Sequence, residues 1–265
     1  DEASIQPYLD FRNRWNVPIF MGEGGENNLA WTIGAFTLLD DHHISWNYWT
    51  YKKMETSNSP YSINAPKEWS VLANALASGD RLEAAHLERI LKEYVTNVRI
   101  EHCVDHPEVA NALFRRLPIS IPAIFYRKPS VIASGLSRPN VGFRVKDRSE
   151  ITFVESPRTT PNFSHGQGQP WAKDDELELI GHPGDVYRYS VSVPQNQTAT
   201  VRLQLAARQS TTVSVSVGNQ TVSIHRFDTN RTLITIGAFH FEKGENPVDI
   251  TIRHGVVALQ TMVFE

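Results

Sequence analysis

The chain has 265 residues, a formal net charge of −3, 40% hydrophobic and 21% charged residues. That length suits one or two domains, the composition is that of an ordinary soluble globular protein, and so small a net charge gives no reason for a nucleic-acid or anionic-membrane partner. One cysteine, Cys103, excludes an intrachain disulfide framework, and no apolar run approaches the ~18 residues of a membrane span.

From Ser4 to Asn111 the sequence reads as helical apart from two strands. Ser4 is placed to cap a helix through Leu9 and Trp15. Val17 to Met21 then form a short unbroken apolar run, the pattern of a buried parallel strand. The run ends at Glu23, framed by Gly22, Gly24 and Gly25, residues that let a backbone turn tightly and approach a ligand. A helical stretch from Leu29 to Leu39 precedes a second strand, Ile44 to Lys53. Strand, crossover and strand make a βαβ unit, which implies parallel pairing with Glu23 and Trp49 at one carboxyl-terminal mouth. Within the second strand, Asn47, Trp49 and Tyr51 share one face, and Trp46 and Tyr48 the other.

Downstream, Pro66 suits a first helical turn, and Leu82, Ile90, Leu91, Tyr94 and Val98 recur at helical spacing. Asp105 with Pro107 opens a last short helix towards Phe114. Cys103 with His102 and His106 matches no standard zinc signature, so no metal is expected. Pro118, Pro122, Pro129 and Pro139 punctuate an expected connector, residues 118–140. Beyond it the alternation is strict: Tyr187, Tyr189, Val191 and Val193; Val201, Leu203 and Leu205; Val213, Val215 and Val217; Val248, Ile250 and Ile252. With Gly218-Asn219 and Gly244-Glu245-Asn246 as turns, residues 141–265 read as an antiparallel β-sandwich able to fold by itself.

Pro18 to Asn27, with the Trp49-Thr50-Tyr51-Lys52 ending, resembles strands seven and eight of glycoside hydrolase family 5, retaining enzymes of cellulase type built on a (β/α)8 TIM barrel. The resemblance implies that Glu23 is the catalytic nucleophile and Trp49 a sugar platform; Asn47, on the face of Trp49, and Lys52, able to hydrogen-bond sugar hydroxyls further along the cleft, are the other substrate candidates. It covers roughly residues 4–78. The family's acid/base glutamate, which follows an asparagine at the end of strand four, has no counterpart here. Residues 1–117 therefore read as the carboxyl-terminal part of a barrel, with the remainder supplied by an upstream segment or a separate chain. Two strands alone would leave open edges and exposed apolar surface.

The sandwich in turn resembles the jelly-roll modules of carbohydrate-binding families 6 and 35, through Gly184 to Val191 and the Ser214-Val215-Ser216-Val217 strand. In those modules calcium depends on a late aspartate. Gln260 stands near that place, and neither calcium nor another cofactor is expected. Trp171 is the first candidate for stacking on sugar in this half, and Tyr187 the second.

Structural roles compete with several of these assignments. Glu26 suits the positive end of the crossover helix. Asp40, Asp41, His42 and His43 fall at the barrel end opposite the chemistry. Lys53 competes with Lys52. The sequons at Asn162, Asn196, Asn219 and Asn230 arise readily in serine- and threonine-rich strands. The expected fold is thus α/β plus all-β, and the expected function that of the carboxyl-terminal part of a retaining enzyme cleaving β-linked polysaccharide: β-glucan or cellulose, xylan or mannan. Such an enzyme is secreted, periplasmic or at the cell surface, with its export signal upstream. The alternative is a noncatalytic carbohydrate-binding protein on a degenerate barrel.

Overall fold

In the computed structural model the described residues are 1–133, 138–164, 166–226 and 229–265. Helix α1 (Glu2–Trp15) leads to strand β1 (Phe20–Gly25), helix α2 (Leu29–Asp41) and strand β2 (Ser45–Trp49). Strands β1 and β2 pair in parallel, giving the βαβ unit read from the sequence. Helix α1 starts earlier than expected: Asp1 is its N-cap, and Ser4 completes a capping box from the third position. The second strand is shorter than expected, because the chain leaves this sheet after Trp49. Lys52 to Met54 form β3 in another sheet, with β4 (Tyr61–Ile63) and β5 (Val104–Asp105). Helix α3 (Trp69–Ser78) begins three residues after Pro66, whose carbonyl accepts from Trp69 N. Helix α4 (Ala84–Asn97) buries only Ile90 of its apolar positions, and α5 (Pro107–Phe114) follows.

One face of the β1–β2 sheet is covered and the other is bare. Met21, Trp46 and Tyr48 pack with Phe36, Leu39 and Ile44 against α2, beside Leu9, Val109 and Leu113. Phe20, Glu23, Asn47 and Trp49 are exposed, and each strand has a single partner among the described residues. The two parallel strands thus have helices on one face and, among the described residues, nothing on the other.

Residues 118–140 are not the connector that the prolines suggested. Strand β6 (Ile119–Pro122) and strand β7 (Arg127–Val131) join opposite sheets of the sandwich. The prolines are compatible with this because β6 pairs through one edge, and β7 is an outermost strand, where a missing N–H is tolerated. Ile119, Ile121, Ala123, Ile124, Phe125 and Tyr126 are all buried, with a 3-10 turn between the two strands.

The remaining strands are β8 (Glu150–Phe153), β9 (Leu177–Gly181), β10 (Val186–Val193), β11 (Gln197–Ala207), β12 (Thr211–Val217), β13 (Gln220–Arg226), β14 (Thr232–Phe241), β15 (Gly244–His254) and β16 (Val257–Phe264). They form one sheet in the order β13-β12-β15-β10-β7, and another in the order β14-β11-β16-β9-β8 with β6 on β16. Every alternating apolar residue named from the sequence in β10, β11, β12 and β15 is buried between the sheets. Gly218-Asn219 makes the two-residue hairpin from β12 to β13. The last turn lies earlier than expected, at Glu242-Lys243, and Glu245 and Asn246 already pair with Ser192 and Val191. The Asn246 amide explains this by donating back to the carbonyls of Glu242 and Gly244.

The helical part shares the core of the sandwich: Ile33 of α2 and Ala112 of α5 belong to the same buried cluster as the inner faces of the sheets. Asp40 pairs with Arg115 and Asp41 with Arg127, which also binds Ser190, so the tempting acidic cluster is structural. Independent folding of residues 141–265 is consequently not expected. That fragment lacks an edge strand of each sheet and bares the face under Phe125. By near-UV circular dichroism and thermal melting it should show no cooperative transition, whereas the whole chain should melt in one step covering both parts.

Candidate active site

Strand β1 carries a bulge: Met21 pairs with Trp46 and Gly24 with Tyr48, so Gly22 and Glu23 together face Asn47. A bulge re-aims the side chain it contains. The Asn47 amide spans the gap and donates to the Gly22 carbonyl at 3.3 Å. The glycine at 25 is required by a close approach. A Cβ there would lie 1.9 Å from the Trp49 carbonyl oxygen, and its φ of +151° disfavours other residues. Gly25 therefore lets β2 close on the end of β1, directly beside Glu23.

Glu23 is exposed, and its carboxylate has no hydrogen-bond or ion-pair partner among the described residues. Trp49 pairs in register with Gly25 and leaves 48% of its surface open. Its peptide bond to Thr50 is cis. Tyr48 points the other way, donating to the Asn58 carbonyl, and burial pushes its phenol up to about 12, which keeps it a donor. The structure thus gathers Glu23, Asn47 and Trp49 on one open face at the carboxyl ends of two parallel strands.

Other candidates are placed differently. Lys52 donates to the Val98 carbonyl at the end of α4, a structural contact. Glu26 is not in the first turn of α2, which Asn28 caps by accepting from Trp31 N at 2.8 Å. It sits in the loop with φ of +53° and pairs with Lys53. Trp171 is half-buried in an aromatic cluster, with its ring 6.1 Å from Phe125 and 5.9 Å from Phe163, which makes it a packing residue of the junction. Tyr187 is fully buried, and its hydroxyl donates to Asp185 at 2.9 Å; it has no face to offer a sugar. The Gln260 amide donates to Glu176 at 2.7 Å.

Sequence reasoning missed the loop between β8 and β9. Asn27 Nδ2 donates to the Phe163 carbonyl at 2.8 Å and Asn28 Nδ2 to the Gln169 carbonyl at 3.1 Å. These contacts seat a sandwich loop on the turn that follows Glu23. Adjacent asparagines at a strand end were the available signal, but they also fit simple helix capping.

No family model matches the chain, and no curated protein matches it. Solved structures similar to it include a ruminal GH26 endo-β-1,4-mannanase, 11% identical over 56% of this chain and 26% of that chain, with a TM-score of 0.34. The GH26-CBM35 β-(1,4)-mannanase of Podospora anserina is 12% identical over 55% and 27%, also at 0.34. The carbohydrate-binding module CBM36 in complex with calcium and xylotriose is 12% identical over 56% of this chain and 99% of the module, at 0.35. The chain thus spans about a quarter of the length of the two mannanases, and likenesses this distant carry neither activity nor ligand to it.

Proposed function

We propose that this chain is the carboxyl-terminal part of a secreted retaining β-glycanase similar to family 5, with Glu23 as nucleophile and Trp49 as sugar platform. The observation that carries the reading is the unpartnered Glu23 carboxylate, held in a bulge at a strand end beside an open indole face. A structural glutamate at such a place would be paired, as Glu26 is with Lys53. In a retaining enzyme one carboxylate attacks the anomeric carbon and a second carboxyl group, about 5–5.5 Å away, protonates the leaving oxygen. The polypeptide that completes the barrel supplies that second group, and its strands cover the bare face of β1 and β2 and pair with their open edges. The substrate is a neutral β-linked polysaccharide, since an indole face suits the C–H-rich side of a pyranose.

A second reading, a noncatalytic carbohydrate-binding protein, is favoured by the engagement of Glu26 with Lys53, which leaves Glu23 without a free acidic neighbour in its own loop. The two readings separate on one measurement. The 265-residue chain is combined with a polypeptide supplying the other six β/α units, and release of reducing ends is followed on β-glucan, xylan and mannan. Turnover supports the glycanase, and binding without turnover supports the alternative.

Trp49→Ala is expected to weaken glycan binding by about 1–3 kcal/mol with little change in melting temperature, because nearly half of the residue is open to solvent. Calorimetric titration and a thermal melt of the same sample check this. An earlier melt with unchanged affinity would make Trp49 a packing residue.

A further inference from the structure

Between β8 and β9, residues 163–164 and 166–169 lie at the mouth of the β1–β2 sheet and are fixed there at several points. Asn27 and Asn28 hold the carbonyls of Phe163 and Gln169. Asn58, whose carbonyl receives the Tyr48 hydroxyl, lies under Gly168 so closely that a Cβ at that glycine would come within 2.9 Å of Asn58 Cβ. Asn58 Nδ2 in turn donates to the Asn27 carbonyl at 3.4 Å. The loop is therefore part of the same rim as the chain segment that follows Glu23, although it begins and ends in the other half of the fold.

Two side chains on this rim have no structural duty. Gln167 and Gln169 are exposed, and neither carboxamide hydrogen-bonds to another described residue. Gln167 also holds a left-handed backbone with φ of +59°, a conformation that costs a non-glycine residue energy and is retained where the surroundings enforce it. A carboxamide offers a donor pair and an acceptor in one plane, which matches the vicinal hydroxyls of a sugar and carries no charge to repel or attract a neutral chain.

We infer that the sandwich supplies one wall of the glycan cleft, with Gln167 and Gln169 as sugar contacts that bear on which glycan is accepted. This inference rests on the reading of Glu23 and Trp49 as the glycan site. The loop meets the chain at Asn27, four residues beyond Glu23, so the wall would border the reacting sugar on the side of that turn. The sandwich is then a component of the cleft, and its own faces need not bind sugar.

The test uses the 265-residue chain labelled with 15N, combined with the unlabelled polypeptide supplying the other six β/α units and titrated separately with cellohexaose, xylohexaose and mannohexaose. The expected result with at least one sugar is coupled movement of the Trp49 indole resonance and the Gln167 and Gln169 side-chain amides. The double variant Gln167→Ala/Gln169→Ala should then bind that sugar about tenfold more weakly with an unchanged melting temperature. Movement at Trp49 with the two glutamines silent, or an unchanged affinity in the double variant, would overturn the wall and leave the glycan site standing. Silence at all three residues with all three sugars would overturn the glycan site, and the wall with it.

Discussion

Glu23→Gln is expected to lower glycan turnover by several orders of magnitude once the barrel is complete, with the fold intact. The chemical reason is that an amide cannot form the covalent glycosyl ester through which a retaining enzyme passes. The structural reason for an intact fold is that the Glu23 carboxylate is exposed and has no hydrogen-bond or ion-pair partner among the described residues, so its replacement breaks no polar contact. Glu26→Gln is the internal control. It gives up an exposed ion pair with Lys53, a kind of contact that contributes about 0–1 kcal/mol, and should leave turnover within a few-fold of the parent. Equal losses in the two variants would place the chemistry elsewhere. The 265-residue chain alone is expected to show no hydrolysis, because a nucleophile without an acid cannot expel the leaving alcohol.

The largest effect on stability is expected from Arg138→Ala. Asp185 is fully buried and accepts from Nη1 and Nη2 of Arg138, at 2.5 and 3.1 Å. It also accepts from the backbone N–H of His182 and of Ala133 and from the Tyr187 hydroxyl. Burial, with the Asp185 charge second, holds that phenol far above its usual range, so it remains a donor. Removing the guanidinium strands a carboxylate in the interior without its countercharge, at a cost of about 3–5 kcal/mol. Urea unfolding followed by tryptophan fluorescence measures this. A loss below about 1 kcal/mol would mean that water reaches Asp185 when Arg138 is gone.

The βαβ connection and the sandwich strands were legible, but the buried strand expected over Val17 to Met21 was not found: β1 starts at Phe20 and buries none of its residues, because its sheet is covered on one face alone. Apolar runs ending in glycine mark β1, and alternation over Tyr187–Val193 or Val213–Val217 names an inward face that the structure buries. What could not be read depends on partners distant in sequence. Lys52 looked free for a ligand until folding brought the Val98 carbonyl to it. Trp171 looked like a stacking residue until Phe125 and Phe163 closed around it. Proline-rich residues 118–131 carried the signals of a linker, and only sheet order shows that β6 and β7 occupy positions where proline is harmless. The Glu23–Asn47–Trp49 face was anticipated from strand register, while the bulge that turns Glu23 is invisible in a pattern of residue types.

The passage of the chain from α5 straight into strands of both sheets also joins the helical part rigidly to the sandwich. Modules tied to an enzyme by flexible tethers search a volume set by tether length. Here the joint is hydrogen-bonded ladder on both sides, so it has no swivel. On the proposed reading, a glycan strand lying across the sandwich loop and Trp49 would meet a single preset angle between them, and the molecule would reach the next stretch of polymer by moving as one piece.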